Sequence, residues 1–295
     1  MLDFRMIQLS DKDWITRLLR ESGKEDCEYC FGNIFTWGPI YSSRIAKIND
    51  FFVSADMGEE PCYFFPLGTG DVKPVIDEMI NDAHGRGVQF ALYGVSEKDK
   101  LCLEEFYPNM FSFLEDRDSF DYIYSQSDLA FLQGKKYHSK RNHISFFEKE
   151  NDYSYEELTD ENISECLKMN ALWIEKNRDK FYDGLDKEQV ALQRALEYYK
   201  ELCFKGALLR KNGQVVAFTL GEAMNDELFC THFEKAFSDV RGAYPMINRE
   251  FARRTLTEFK YINREEDTGD EGLRKAKLSY HPQKLLVKYK AVCNE

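Results

Sequence analysis

Asn212-Gly213 stands between two apolar runs, Ala207-Leu-Leu-Arg and Val215-Val-Ala-Phe, and no other stretch restricts the fold as tightly. Both residues of an Asn-Gly pair accept positive φ, which a two-residue hairpin turn requires. The spacing therefore predicts a hairpin over 206–220. Two helices precede it, at about 160–178 and 186–203. A strand over 227–234 follows, then a loop and helix over 244–257, a strand end over 260–263, a helix over 270–280 and a last strand over 284–292. Strands and helices in this order give an α/β (α+β) domain, a mixed and mostly antiparallel sheet flanked by helices.

The first half repeats the theme. Ser10-Asp-Lys-Asp13 has capping-box spacing and opens a helix whose apolar face includes Trp14, Ile15, Leu18 and Leu19. An aromatic stretch spans 31–41, and strands are expected over 45–55 and 62–66. Asp71 caps a helix that ends at Gly85-Arg-Gly87, a strand covers 88–95, and Ser96-Glu-Lys-Asp99 begins another helix before a strand over 120–124. The similar order predicts a duplicated fold with domains at 1–133 and 134–295, and 295 residues is about twice a ~150-residue domain. Residues 134–150 turn basic and helical (Lys135, Lys136, His138, Lys140, Arg141, His143, then Phe146 and Phe147) and are read as the link.

A net charge of −12 makes the chain a poor general binder of nucleic acid, because phosphate backbones are repelled at long range. Lys135–Arg141 is the one stretch suited to phosphate, whether of tRNA or a lipid headgroup, and as an amphipathic helix it serves equally as interdomain packing. The eight scattered cysteines read as reduced thiols in the cytoplasm. Cys27-Glu-Tyr-Cys30 has metal-pair spacing but no second pair near it, so no metal is assigned. No segment approaches the ~20 apolar residues of a membrane span, so no integral membrane contact is expected.

Four segments carry a family resemblance: His232-Phe-Glu-Lys-Ala236, Gly242-Ala-Tyr-Pro-Met-Ile-Asn248, Tyr261-Ile-Asn-Arg-Glu-Glu-Asp-Thr-Gly269 and Glu271-Gly-Leu-Arg-Lys-Ala-Lys-Leu-Ser-Tyr-His-Pro282. They resemble the C-terminal catalytic domain of phosphatidylglycerol lysyltransferases and a related group of soluble bacterial proteins. The resemblance covers roughly 130–295 in sequence, and only the topology of 1–130. It implies two tandem acyl-CoA N-acyltransferase-like (Gcn5-related) domains, similar also to the peptidoglycan-bridge aminoacyltransferases that use aminoacyl-tRNA. The lysyltransferases' membrane-spanning half has no counterpart in these residues, so a lipid acceptor is not carried over.

The same residues suit acyl transfer, which needs a groove for the donor, a proton relay and donors for an oxyanion. Glu234 and His232 lie two apart on one strand, and period-2 spacing points both to one side. Glu234 is the leading candidate for base or substrate-ammonium binding; Tyr280 is a candidate proton donor. Arg241, Gly242, Ala243, Tyr244 and Asn248 surround a helix start, where free N–H groups suit a phosphate. Arg241-Gly-Ala243 has one glycine where the acetyltransferase loop has two, which leaves coenzyme A and aminoacyl-tRNA both open as donor. Asn263, Arg264, Glu265 and Asp267 follow a strand end, where open α/β sheets bind ligands. Arg274 and Lys277 share a helix face and are candidates for clamping a phosphate.

The expectation is a transferase of the C-terminal domain, moving an acyl or aminoacyl group from coenzyme A or aminoacyl-tRNA to an amine or hydroxyl, without a tightly bound cofactor. A ligand-binding module that lost the chemistry and a peripheral lipid-headgroup binder are the alternatives.

Overall fold

The computed structural model describes residues 1–58, 61–177 and 184–294. The first run of elements is α1 (Lys12–Ser22), α2 (Phe31–Tyr41), β1 (Ser43–Ile48), β2 (Phe51–Asp56), β3 (Cys62–Phe64), β4 (Leu67–Gly68), α3 (Lys73–Arg86), β5 (Ala91–Val95), α4 (Glu97–Phe106) and β6 (Phe111–Glu115). α4 starts from the Ser96/Asp99 capping box that the sequence signals, and α3 stops on Gly87 in the left-handed region. α2 is signalled only as an aromatic stretch, because Gly32, Gly38 and Pro39 interrupt the helical pattern. β6, which follows a turn at Pro108-Asn109, is also absent from the sequence reading.

The second run is β7 (Asp121–Ser125), α5 (Gln126–Phe131), α6 (His138–Glu150), β8 (Tyr153–Glu157), α7 (Ile163–Asn177), α8 (Gly184–Glu197), β9 (Lys205–Lys211), β10 (Gln214–Ala223), β11 (Leu228–Ala236), α9 (Ala243–Glu250), β12 (Tyr261–Asn263), α10 (Glu271–Leu278), β13 (Lys284–Leu286) and β14 (Tyr289–Cys293). The predicted hairpin forms: Asn212 and Gly213 have φ of 49° and 78°, and Gln214 pairs Lys211 across the turn.

Two seven-stranded sheets result. One runs β1-β2-β3-β5-β14-β6, with β4 also on β2; the other runs β13-β7-β12-β11-β10-β9-β8. By contacts the chain divides into Met1–Tyr122 with Glu266–Lys275 and Leu285–Glu295, and Ile123–Glu265 with Ala276–Lys284. The sequence-based boundary at 133/134 assumes two consecutive blocks. Here the single strand expected over 284–292 is two strands, and β14 inserts between β5 and β6, antiparallel to both. The first sheet is therefore continuous only when the last residues of the chain occupy it. α6, read as the link, is a helix of the second unit, with Ile144 and Phe147 in its core.

The core of the first unit gathers Val53, Tyr63, Ile76, Met79, Phe90 and Leu92, all fully buried or nearly so. Removal of each such side chain from water stabilises by about 1.5–3 kcal/mol, which large rings amplify. Among the described residues no helix is long and apolar enough to cross a membrane.

Candidate functional site in the second unit

The site is built on a defect in the β10–β11 ladder. Leu220 pairs Phe233 and Gly221 pairs Thr231, so His232 is an extra residue, a β-bulge. Gly221 permits it: a Cβ there would overlap the Cys230 carbonyl. On its other side β11 pairs β12 in parallel only as far as Cys230↔Asn263. Beyond that point the two strands part, and side chains fill the opening.

The His232 side chain is buried, 1% exposed, with Nδ1 2.7 Å from Glu265 Oε1 and Nε2 3.0 Å from Glu222 Oε1. Burial opposes the charged ring, but Cys230, Glu222 and Glu265 outweigh it and hold the imidazole well above its ordinary pKa. An imidazolium with a carboxylate on each nitrogen donates twice and has no lone pair to accept a proton. Held between Glu222 and Glu265, the protonated ring is placed to donate to both carboxylates.

Glu234 forms a second cluster beside it. Arg264 Nη2 donates to Oε1 at 2.8 Å and Asn248 Nδ2 to Oε2 at 3.0 Å. The Arg264 guanidinium also lies against Tyr124 and Tyr280, 5.6 and 4.9 Å from the ring centroids. Thr219 pairs Glu234 directly across the ladder, so both side chains share a face. Among the described residues, three buried atoms here lack a hydrogen-bonding partner: Thr219 Oγ1, Asn248 Oδ1 and Arg264 Nη1. Buried polar groups are nearly always satisfied, so such a concentration around one carboxylate is unusual.

The loop ahead of α9 is packed, not open. Gly242 has φ of +89°, and a Cβ there would overlap the His143 carbonyl and crowd Phe147 of α6. Ala243 is fully buried, the Arg241 guanidinium lies 4.1 Å from the Phe146 ring centroid, and Tyr244 is mostly buried, its phenol pushed up by burial. The missing Cβ makes room for α6 where a phosphate cradle would make room for a ligand. Gly242→Ala is accordingly expected to cost about 2–5 kcal/mol, the left-handed backbone and the overlap together, read as a shift of the urea midpoint. A loop held open for phosphate would show only the backbone part, about 1–2 kcal/mol.

The residues over 263–280 separate. Asn263 is fully buried, and its Oδ1 accepts the Glu265 N–H at 2.7 Å. Glu265 serves His232, while Asp267 belongs to the first unit, where Arg274 and Arg117 pair with it and the Tyr122 hydroxyl donates to it. Burial would raise the Asp267 carboxyl, yet Arg274, Tyr122 and the Gly269 N–H hold it far below the usual range. Arg274 bonds Asp118 as well, at 2.6 Å, and Lys277 Nζ donates to the carbonyls of Arg264 and Glu265 at 2.6 and 3.0 Å. Both cations proposed as a phosphate clamp thus have protein partners. Tyr280 is 5% exposed and its phenol is pushed up by burial, which makes it a ring platform more than a proton donor. Of the sequence candidates, Glu234, Asn248, Arg264 and Tyr280 come together. Thr219 and Tyr124 join them without any signal, since Thr and Tyr in a strand read as packing, and Glu222 joins His232 in the same unsignalled way.

The basic stretch is largely committed. Arg141 Nη1 donates to the carbonyl of Leu132, the C-cap of α5, and to that of Gly134 at 2.7 Å, and Lys136 pairs Asp128 at 3.2 Å. In the first unit, Cys27 lies with Glu28, Asp121 and Glu266, its Sγ 3.1 Å from Glu266 Oε2 and 3.3 Å from Asp121 Oδ1. Cys27, Glu28 and Asp121 are close enough to share a metal ion. A cation already stands among them: Lys288, fully buried, donates to Glu28 at 2.6 and 2.7 Å and to Asp121 at 2.9 Å.

The family model described as phosphatidylglycerol lysyltransferase, C-terminal, matches residues 19–292. The chain belongs to that family. A conserved protein of unknown function from Bacteroides thetaiotaomicron shares 43% identity with this family member, over the full length of both chains, at a TM-score of 0.95. L-PGS from Bacillus licheniformis is 18% identical, with 97% of this chain and 93% of that one covered and a TM-score of 0.66. A tandem Gcn5-related acetyltransferase protein of the clavulanic acid pathway is 8% identical, covers 100% and 99%, and has a TM-score of 0.52. The last two likenesses carry the fold, which is the expected tandem acyltransferase fold of mixed sheets flanked by helices. An uncharacterized protein of Mycoplasmoides gallisepticum is 26% identical over 185 residues, 59% of this chain and 57% of its own length.

Proposed function

We propose that the chain transfers an aminoacyl group from an aminoacyl ester, the chemistry of aminoacyl-tRNA, to an amine or hydroxyl acceptor at the Glu234 cluster. The three unpartnered atoms carry this reading. A carboxylate only accepts, so Asn248 must turn its amide nitrogen to Glu234, and Oδ1 is its unused acceptor. Arg264 Nη1 is an unused donor, and the Thr219 hydroxyl serves as either. A group that presents an ammonium beside a carbonyl matches this set: the ammonium to Asn248, Thr219 and Glu234, the carbonyl oxygen to Arg264. As the carbonyl becomes tetrahedral its oxygen gains negative charge, and a fixed guanidinium then binds it more strongly than in the ground state.

Coenzyme A is the weaker donor, because α6 fills the space at Gly242 that a pyrophosphate would use. The family's description suggests phosphatidylglycerol as a hydroxyl acceptor.

The test is to incubate the protein with tRNA charged with labelled amino acids, with and without phosphatidylglycerol vesicles, and with acetyl-CoA in parallel. Label should move from one or a few aminoacyl-tRNAs, and Glu234→Gln should lower that rate by about 10–100-fold, the value of one charge-assisted contact. Turnover of acetyl-CoA alone would move the assignment to coenzyme A. Amino-acid binding without turnover would make the chain a ligand-binding module, and neither binding nor turnover would remove the proposal.

A further inference from the structure

The proposed transfer requires something to take the acceptor's proton, and the groups first suited to it are engaged. Both oxygens of Glu234 hold protein donors, at 2.8 and 3.0 Å. Both nitrogens of His232 face carboxylates. Tyr280 is nearly fully buried and keeps its proton. One group in the same cluster differs from these. Lys140, on α6, places Nζ 3.9 Å from the Tyr280 ring centroid, on the ring that also meets Arg264. It is half-buried, and among the described residues it has no hydrogen bond or ion pair.

Resting on the transferase reading, we propose that Lys140 is the proton acceptor of this site. The acceptor's oxygen or nitrogen attacks the ester carbonyl carbon and forms the new bond while its proton passes to the Lys140 amine. The C–O bond to the donor alcohol then breaks, and the same proton goes to the departing alkoxide. Nothing is left over, and the amine returns to its starting state. Arg264 meanwhile holds the carbonyl oxygen, so the guanidinium and the amine, both against the Tyr280 ring, divide the two charge-handling tasks.

The charges around Lys140 favour a neutral amine. Burial first, then the permanent charge of Arg264, lower its pKa, and Glu234 partly offsets them; the amine is brought down to about 8. Tyr124 and Tyr280 contribute ring faces and no carboxylate. On α6 itself, Arg141 is turned to the Gly134 carbonyl, and just ahead of the helix Lys136 is turned to Asp128. A base is most effective when its pKa lies near the working pH, and such a base typically contributes about 10²–10⁴-fold.

Two measurements on the full chain test this. The first is trace acetylation with acetic anhydride across the pH range, followed by peptide mass spectrometry. It should give a half-point at about 8 for Lys140, against the ordinary lysine value of 10.5. The second is the rate of transfer from aminoacyl-tRNA, corrected for the ester's own hydrolysis. It should rise with pH through about 8. Lys140→Arg keeps a cation on the ring but cannot lose its proton, so it should abolish that rise and lower the rate about 100-fold or more. Lys140→Gln gives the same reading if arginine does not fit. A Lys140 half-point at the ordinary lysine value, or a variant with the wild-type rate and pH limb, overturns the proposal while leaving the transferase standing. Absence of transfer by the wild type overturns the transferase and the base together.

Discussion

Lys288→Met should destabilise the first unit by about 3–5 kcal/mol near pH 8, the usual consequence of removing one partner from a buried ion cluster. The ammonium is fully buried and supplies three short contacts, two to Glu28 and one to Asp121. Methionine fills much the same space, so the loss reports charge more than volume. The pH dependence gives the sign. Burial raises the Glu28 carboxyl above its ordinary value and Lys288 pulls it back; burial also brings Asp26 up to about 7. A carboxyl whose folded pKa is raised binds its proton more tightly in the native state. Its contribution is complete below the unfolded value and is lost as pH climbs through the folded one. Without Lys288 the Glu28 value climbs further. The variant's deficit should therefore be small at pH 5 and grow toward pH 8. Urea unfolding followed through Trp14 and Trp37, both in the first unit, measures it. An equal deficit at both pH values would show that the lysine stem, not its charge, matters.

This lysine was out of reach of the sequence for a general reason. In Leu286-Val-Lys-Tyr289 a lone lysine near a strand reads as solvated, and its burial depends on residues 28 and 121, far away in the chain. Cys27 misleads in the same way: the Cys27/Cys30 spacing draws attention to a pair, while the contacts that fix Cys27 are to carboxylates from three separate segments. Local signals fared better. Asn212-Gly213 and the Ser96/Asp99 box encode their geometry within four residues, and both form as read. The candidate site falls between these cases. Glu234 and Arg264 were legible because an acid at a strand end and an arginine after one are uncommon. Their convergence depends on the bulge at His232, and strand periodicity does not reveal a bulge. The bulge also explains why two residues of period-2 spacing serve different partners: His232 bonds Glu222 and Glu265, and Glu234 bonds Asn248 and Arg264. Asn263, Arg264, Glu265 and Asp267 read as one ligand site after a strand end. Positive φ at Glu265 turns the chain there, and the carboxylates of Glu265, Glu266 and Asp267 reach His232, Cys27 and Arg274 separately.

Arg264→Lys should lower the transfer rate by about 10²–10³-fold, the usual effect of losing one donor from an oxyanion site. The substitution keeps the charge and removes the geometry. A guanidinium presents a planar fork, so Arg264 reaches Glu234 through Nη2 at 2.8 Å while Nη1 stays unused for the carbonyl oxygen. An ammonium at that place can satisfy Glu234 but has no second fixed arm, and it stacks less well on Tyr124 and Tyr280. The loss should fall on kcat, because the missing donor matters most when the oxygen is charged, and KM should move little. Arg264→Ala separates catalysis from folding. It leaves Glu234 buried with one amide partner and should destabilise the second unit by about 3–5 kcal/mol. Adding Glu234→Gln to Arg264→Ala removes the stranded charge and should recover much of that stability without recovering turnover. A non-additive cycle for stability beside a rate that stays low is the signature of a pair in which Glu234 holds the guanidinium and the guanidinium does the chemistry. If Arg264→Lys instead keeps the wild-type kcat, or raises only KM, the guanidinium is an anchor for the substrate and the oxyanion must be met elsewhere along β11.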